Sequence, residues 1–333
     1  MKQLFVIFTS YLFIEFIIRF SLSILYPAEF FQPWKIIYQY YPQALKISEE
    51  YATSDRQQNK ILILSSSALT DEWGGFEKVL EEKLNENAKD WQVFNGSGVG
   101  FTSLDNLNTL QLLNDLKFDY LIYYNSINDA RLNNCPPDVF ESDYTHIRWN
   151  NEVASIMRHK EINITVIPFV LDFLAQKLRQ KIFDQDFIPD NYKDRPDWQK
   201  YGSDFKSLKS FDKNLSKIIK LNPYPAKNII IDYNYYVPDN YSYEDFINKR
   251  LDYRYHDKSR EIEVWGYPDN VSNFIDSCNH RALKIAEETA NTQFYSVKNR
   301  LSSSAFFADI CHYSEKGIDS LAFFASIKII HDK

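Results

Sequence analysis

Glycine is scarce in this chain, with 8 in 333 residues, so any glycine that falls within a local pattern carries more weight than usual. Cysteine is scarcer still. Cys135, Cys278 and Cys311 are the only three, and no two of them form a CxxC pair. A disulfide framework and a structural zinc site are both disfavoured, because each needs more thiols or closely spaced histidines. One bridge with one thiol over is left open. Basic runs are also missing: the formal charge is −7 with Lys and Arg scattered, which leaves no electrostatic footprint for nucleic acid. No motif calls for a cofactor or a metal, since the Gly-rich stretch at 96 to 100 lacks the Lys of a phosphate-binding loop.

What the chain has in quantity is aromatic and aliphatic residues, including 25 Phe and 23 Tyr. Its length suits one large core rather than two generous domains with linkers. The stretch Leu4 to Leu25, LFVIFTSYLFIEFIIRFSLSIL, is nearly continuous apolar sequence. It is long enough at about 1.5 Å rise per residue to cross a hydrocarbon layer of about 30 Å. Glu15 and Arg19 interrupt it at a spacing of four, which lets them pair on one helical face. No small-x-small cleavage site follows, so the reading is an uncleaved transmembrane anchor over 1–27. Lys2 lies on the short side and the first basic residue beyond the span is Lys35. The positive-inside bias then predicts a large domain outside the cytoplasm, periplasmic or on the cell surface.

Residues 28–59, with Pro33 and Pro42, read as a stalk. From residue 60 to 333 strands and helices alternate. ILIL (61 to 64) has the look of a buried parallel strand, and Trp73, Phe76, Leu80 and Leu84 recur at helical spacing after it. WQVFN (91–95), DYLIYYN (119–125), NITVIPFV (163–170) and QFYSV (293–297) are expected as further strands, separated by helices. The fold class is α/β with a parallel sheet covered on both faces. Regularity fails between about 171 and 260, which reads as an insertion able to shape a cleft. A closing helix is expected after Ser314 as N-cap.

In an open α/β sheet the carboxyl ends of the strands share one edge, so residues just beyond them converge whatever their separation along the chain. SSSALTD follows the first strand, NGSGVGFTS (95 to 103) the second and NSINDAR (125 to 131) the third, while ADICHYSEKG (308–317) precedes the last helix. Nucleophilic acyl transfer needs a hydroxyl, an imidazole to take its proton, a carboxylate to fix the tautomer, and donors for the oxyanion. These four stretches supply each. Asp309 and His312 are three apart in one loop, Gly100 offers an unobstructed backbone N–H, and Asn128 offers a side-chain amide.

With LSSSALT, NGSGVGFTS, SIND and DICH in this order, the chain resembles the SGNH (GDSL-type) hydrolases and acyltransferases over roughly residues 60 to 330. The resemblance implies a three-layer, flavodoxin-like fold. It implies Ser67 as nucleophile, His312 as base and Asp309 as its orienting partner, with the N–H groups of Ser67 and Gly100 and the amide of Asn128 as oxyanion donors. It also looks like membrane-anchored bacterial members met with cell-envelope polysaccharide genes. The expected function is therefore a serine esterase or O-acyltransferase acting on ester groups, O-acetyl above all, of an extracytoplasmic glycan. Tyr235, Tyr236 and Trp265 are candidates to stack on sugar rings, although core packing is the stronger reading of any single one. A lipid esterase or thioesterase, and an inactive glycan-binding or assembly protein of the same fold, are the alternatives. Ser65, Ser66, Ser97 and Ser126 depart from the family pattern by replacing Gly or Asp. A positive φ at position 65 would store strain of about 1 to 3 kcal/mol.

Overall fold

A computed structural model describes the chain apart from residues 26–29, 56, 87–89, 160, 184–195, 224 and 332–333. The expected boundary between anchor and stalk, at 27/28, lies outside the described residues, as does Pro189 of the expected insertion. In chain order the helices are α1 (Lys2–Leu25), α2 (Pro42–Thr53), α3 (Phe76–Asn85), α4 (Ser103–Leu112), α5 (Ile127–Arg131), α6 (Arg148–Arg158), α7 (Ile167–Phe183), α8 (Leu208–Leu221), α9 (Tyr243–Ile247), α10 (Pro268–Glu287) and α11 (Glu315–His331). The strands are β1 (Asn59–Ser65), β2 (Trp91–Asn95), β3 (Tyr120–Tyr124), β4 (Lys227–Ile231) and β5 (Thr292–Tyr295). The chain divides into two compact units, Met1–Pro42 with Asp143–Asp194, and Gln43–Ser142 with Arg195–Lys333.

The second unit holds the sheet. All strand pairs are parallel and the order is β2-β1-β3-β4-β5. Ile61, Leu62, Ile63 and Leu64 are fully buried, as expected of a central strand covered on both faces. Right-handed crossovers put the helix that leads leftward from β1 to β2, α3, on one face. The helices that lead rightward, α4, α8 and α10, lie on the other. The packing agrees: α11 lies against α3, while α4 packs on α8 and α8 on α10. The strand order reverses direction between β1 and β3, and the crevice beyond their carboxyl ends is where such sheets form sites.

Three expectations need correction. NITVIPFV is not a strand: residues 167 onward form α7, and Val166, Phe169, Val170 and Phe173 repeat at helical spacing, with Val166 and Phe169 buried. Pro168 sits at the second helical position, where its missing N–H breaks no helical bond. The fourth strand is instead KNIII, inside the range read as an insertion (171–260). That range also holds α8, whose Phe211, Leu215, Ile218 and Ile219 are buried on one face, so the stretch 208–231 belongs to the central layers. What is irregular is the connection from β4 to α10, which carries the short α9 and one 3-10 turn, Ile262–Val264. The stalk read over 28–59 likewise ends in structure. Tyr51 on α2 packs its ring against Phe94 and Phe118, at 5.7 Å from each, making α2 part of the sheet unit.

In the first unit α1 is the longest apolar helix, with mean hydropathy 1.8 and a length sufficient to cross a membrane. Among the described residues no other helix meets that length and hydropathy.

Candidate active site

β1 runs out between its two neighbours, and its three serines then take different directions. Ser65 Oγ donates to the Tyr124 carbonyl on β3, and the Ser65 carbonyl accepts from Asn106 Nδ2 at 2.9 Å, so the first serine is a fully buried tie across the sheet. Ser66 is buried as well. Ser67 opens a single 3-10 turn, Ser67–Leu69, and is half-buried. Its carbonyl accepts from both the backbone N–H (3.1 Å) and the hydroxyl (2.9 Å) of Thr70, which hold the turn closed. Ser67 Oγ lies 2.8 Å from His312 Nε2 across 245 positions of sequence.

The serines that stand for Gly or Asp store no left-handed strain. Ser66 has φ −99° and Ser126 φ −168°. Among the described residues the non-glycine positions with positive φ are Tyr144, Phe205 and Lys249.

His312 and Asp309 occupy a tight reversal before α11, closed by the bond from Ala308 N–H to the His312 carbonyl (2.7 Å) and by an antiparallel bridge between Phe307 and Tyr313. Asp309 is completely buried, yet four donors meet it. The backbone N–H of Arg260 reaches Oδ2 at 2.8 Å, those of Cys311 and His312 reach Oδ1 at 3.0 and 2.9 Å, and His312 Nδ1 lies 2.8 Å from Oδ2. Burial works to raise the pKa of this carboxyl, but the imidazole and the converging N–H groups outweigh it and hold it below the ordinary aspartate value. An ionised carboxylate at this place fixes the proton on Nδ1 and leaves Nε2 as acceptor for the serine hydroxyl. The Trp73 ring lies flat on the imidazole, with centroids 3.8 Å apart and planes 8° from parallel.

Asn128, at the start of α5, faces the same crevice end. Its Nδ2 donates to the Phe101 carbonyl at 2.9 Å, and its Oδ1 accepts from Trp265 Nε1 at 2.8 Å. The two contacts settle which way round the amide lies, because the reverse would set N–H against N–H and oxygen against oxygen. One amide N–H is left for a ligand. Asn125 Nδ2 also donates to the Phe101 carbonyl, so the loop carrying Gly100 is tied to the end of β3. Gly100 has φ +75° and open space around the position a Cβ would take. Backbone conformation, rather than the clearance expected from the sequence, is what asks for glycine there. Among the described residues the N–H groups of Ser67 and Gly100 donate to no turn or loop carbonyl. Behind the site, Asp129 accepts from the N–H (2.8 Å) and hydroxyl (2.6 Å) of Ser103, joining α5 to the start of α4.

Of the residues singled out in the sequence, Ser67, His312 and Asp309 form one hydrogen-bonded chain, and Asn128 and Gly100 sit on two loops bound to each other. The aromatic candidates fare differently. Trp265 is 4% exposed and spends its indole N–H on Asn128, so it presents no ring to a sugar. The hydroxyls of Tyr235 and Tyr236 are bonded to Asp276 and Asp252. Sequence reasoning missed Trp73 and Arg260. Trp73 follows Ser67 by six residues and its spacing places it only in an apolar helical series, whereas it lies in a 3-10 turn before α3, and Arg260 contributes through its backbone, which no side-chain pattern reveals.

All three cysteines are free and buried. Asp309, Cys311 and His312 bring ligand atoms within 4.8 Å of one another. Two of those groups are spent on each other, and burial, with the Asp309 charge beside it, pushes the Cys311 thiol well above its ordinary pKa. Hydrogen bonding accounts for this cluster better than a metal would.

No protein-family model and no curated protein matches the chain. Solved structures that do match include lipases, acylhydrolases and esterases. A lipase/acylhydrolase from Enterococcus faecalis is 11% identical, with 82% of this chain and 95% of that one covered at a TM-score of 0.42. The psychrotrophic esterase EstA from Pseudoalteromonas sp. is 16% identical, with 83% and 100% covered at 0.38. The α/β hydrolase LAE5 from the metagenome of Lake Arreo is 13% identical, with 80% and 94% covered at 0.38. At these identities and TM-scores none of the three bears on the chemistry of this chain, which rests on its own geometry.

Proposed function

We propose that the protein is a serine hydrolase or acyltransferase of ester bonds, tethered by α1 with its sheet unit outside the cytoplasm, and acting on O-acetyl groups of a glycan. The observation that carries the chemistry is the chain Ser67–His312–Asp309, with bonds of 2.8 Å at each link. His312 Nε2 takes the Ser67 proton as Oγ attacks the ester carbonyl. The carbonyl oxygen, now negative, receives N–H groups from Ser67 and Gly100 and the remaining amide proton of Asn128. The imidazolium so formed lies between the Asp309 carboxylate and the Trp73 face, and returns its proton to the departing alcohol oxygen. The acyl group stays on Ser67 until water or a sugar hydroxyl, deprotonated by His312, attacks it and restores the free serine.

The glycan and the extracytoplasmic setting rest on the family resemblance and on the placement of Lys2 and Lys35 about the span. A second reading, lipid ester or thioester hydrolysis, is supported by α1 itself, which is long and apolar enough to keep the protein at a membrane. Initial rates on p-nitrophenyl esters of increasing chain length separate the two. A maximum at acetyl supports glycan deacylation, and a maximum at eight carbons or more supports lipid. A Ser67→Ala variant that retains the wild-type rate on every ester removes both.

A further inference from the structure

Helix α1 is built inside out by the standard of a water-soluble protein. On α1 the buried residues are the two charged ones, Glu15 and Arg19, whereas Phe5, Phe8, Phe13, Phe16 and Ile24 are 55–68% exposed. The charges are buried by a particular segment. Glu15 pairs with Arg19 at 2.7 Å and accepts the Val166 N–H at 2.9 Å and the Thr165 hydroxyl at 3.0 Å. Arg19 in turn donates to the carbonyls of Asn163 (3.0 Å) and Ile164 (2.9 Å). Three backbone groups leading into α7, the Asn163 and Ile164 carbonyls and the Val166 N–H, are therefore held by the only two charges in the interior of the span. Glu15 lies about 20 Å along α1 from Lys2, close to the middle of a helix about 36 Å long.

α7 carries a second exposed apolar face. Asp172 is bonded to Ser155, Arg158 and His159 on and after α6. Leu171, Leu174 and Leu178, at i, i+3 and i+7, are 62%, 51% and 58% exposed, and Ile164 before the helix is 82% exposed. Between α1 and α7 lies a cavity of about 300 Å³, walled by Ile17, Leu22 and Leu25 on one side and Phe169, Phe173 and Leu174 on the other. Leu25 and Leu174 stand at its rim, being largely exposed.

We propose that the segment from Ile164 to Leu178 is a second membrane-contacting element. It lies in the bilayer beside α1, and lipid hydrocarbon chains cover its leucine face and enter the cavity. This rests on the reading of α1 as a membrane span. Non-helical backbone is tolerated at membrane depth only where protein groups satisfy it, which is what Glu15 and Arg19 do for residues 163–166. Ionisable residues in a span are expensive and are held where they have such partners. An apolar face, polar groups turned inward and an apolar cavity open at its rim are the features of a surface whose solvent is hydrocarbon.

The test uses the full chain in phosphatidylcholine–phosphatidylglycerol vesicles, with an environment-sensitive fluorophore on Leu171→Cys or Leu174→Cys. The native thiols are buried, so label goes to the new one. Phe13→Cys on α1 and Ser277→Cys on α10 are the references. With nitroxide carried on the lipid acyl chains, the expected quenching at 171 and 174 is within twofold of that at 13, and quenching at 277 is absent. Quenching at 13 but not at 171 or 174 overturns the inference while leaving the anchor in place. No quenching at any position overturns both.

Discussion

Trp265→Phe removes one hydrogen-bond donor and nearly nothing else. The indole N–H that reaches Asn128 Oδ1 at 2.8 Å is lost, while an aromatic ring still fills a site that is 4% exposed. Asn128 then keeps only the Phe101 carbonyl as a guide to its orientation, and its Oδ1 is left buried without that donor. An unsatisfied buried acceptor costs about 1 to 3 kcal/mol, part of which appears as lost stability. The rest appears as misorientation of an oxyanion donor. Deleting such a donor outright costs about 10²- to 10³-fold in kcat, which bounds the effect from above. A loss of about 5- to 30-fold in kcat, or about 1 to 2 kcal/mol, is expected, with KM little changed. On the proposed mechanism Trp265 acts as a positioning residue, and a double-mutant cycle tests that role. On p-nitrophenyl acetate, Trp265→Phe should slow the wild type by that factor but slow Asn128→Ala less than twofold, because nothing is left to orient. Urea unfolding of all four proteins separates loss of fold from loss of rate. Equal slowing in both backgrounds would refute the reasoning and reduce Trp265 to packing.

Asp309→Asn replaces one acceptor oxygen with an amide nitrogen where Arg260 N–H or His312 Nδ1–H is already donating, so kcat should fall by about 10³-fold or more and stability by about 1 to 3 kcal/mol; a fully active variant contradicts the assigned role. Glu77 offers a test away from the site. Burial, set against Lys46 and reinforced by Asp71, Glu50 and Glu81, pushes its carboxyl up to about 7. Its folded pKa exceeds its unfolded value of 4.5, so the folded state holds a proton that the unfolded chain releases. The stability from that proton is complete below pH 4.5 and is lost as pH rises through about 7. Glu77→Gln should therefore flatten the fall in urea-unfolding stability between pH 5 and 8, and an unchanged slope would contradict it.

Much of this was legible because it is local. ILIL announces a buried strand by composition, DICH sets carboxylate and imidazole three apart in one turn, and the convergence of strand ends brings Ser67 to a histidine 245 positions away. Other features were hidden for physical reasons. KNIII is five residues long and sits among prolines and charges, so β4 is evident only from its pairing with β3 and β5. NITVIPFV has β-branched residues that favour a strand, yet its apolar spacing and the partners Glu15 and Arg19 make it the approach to a helix. Trp73 on His312 and Trp265 on Asn128 depend on which way buried rings turn, and sequence spacing carries no record of that.

The central claim is that Ser67 Oγ, and no other hydroxyl, is activated by His312. Treatment of the folded protein with a fluorophosphonate, followed by peptide mass mapping, tests it most directly. The account predicts one adduct, on the peptide carrying Ser67, absent from Ser67→Ala and strongly reduced in His312→Ala. A folded wild type that takes up no phosphonate, or takes it up on a different serine, would contradict it.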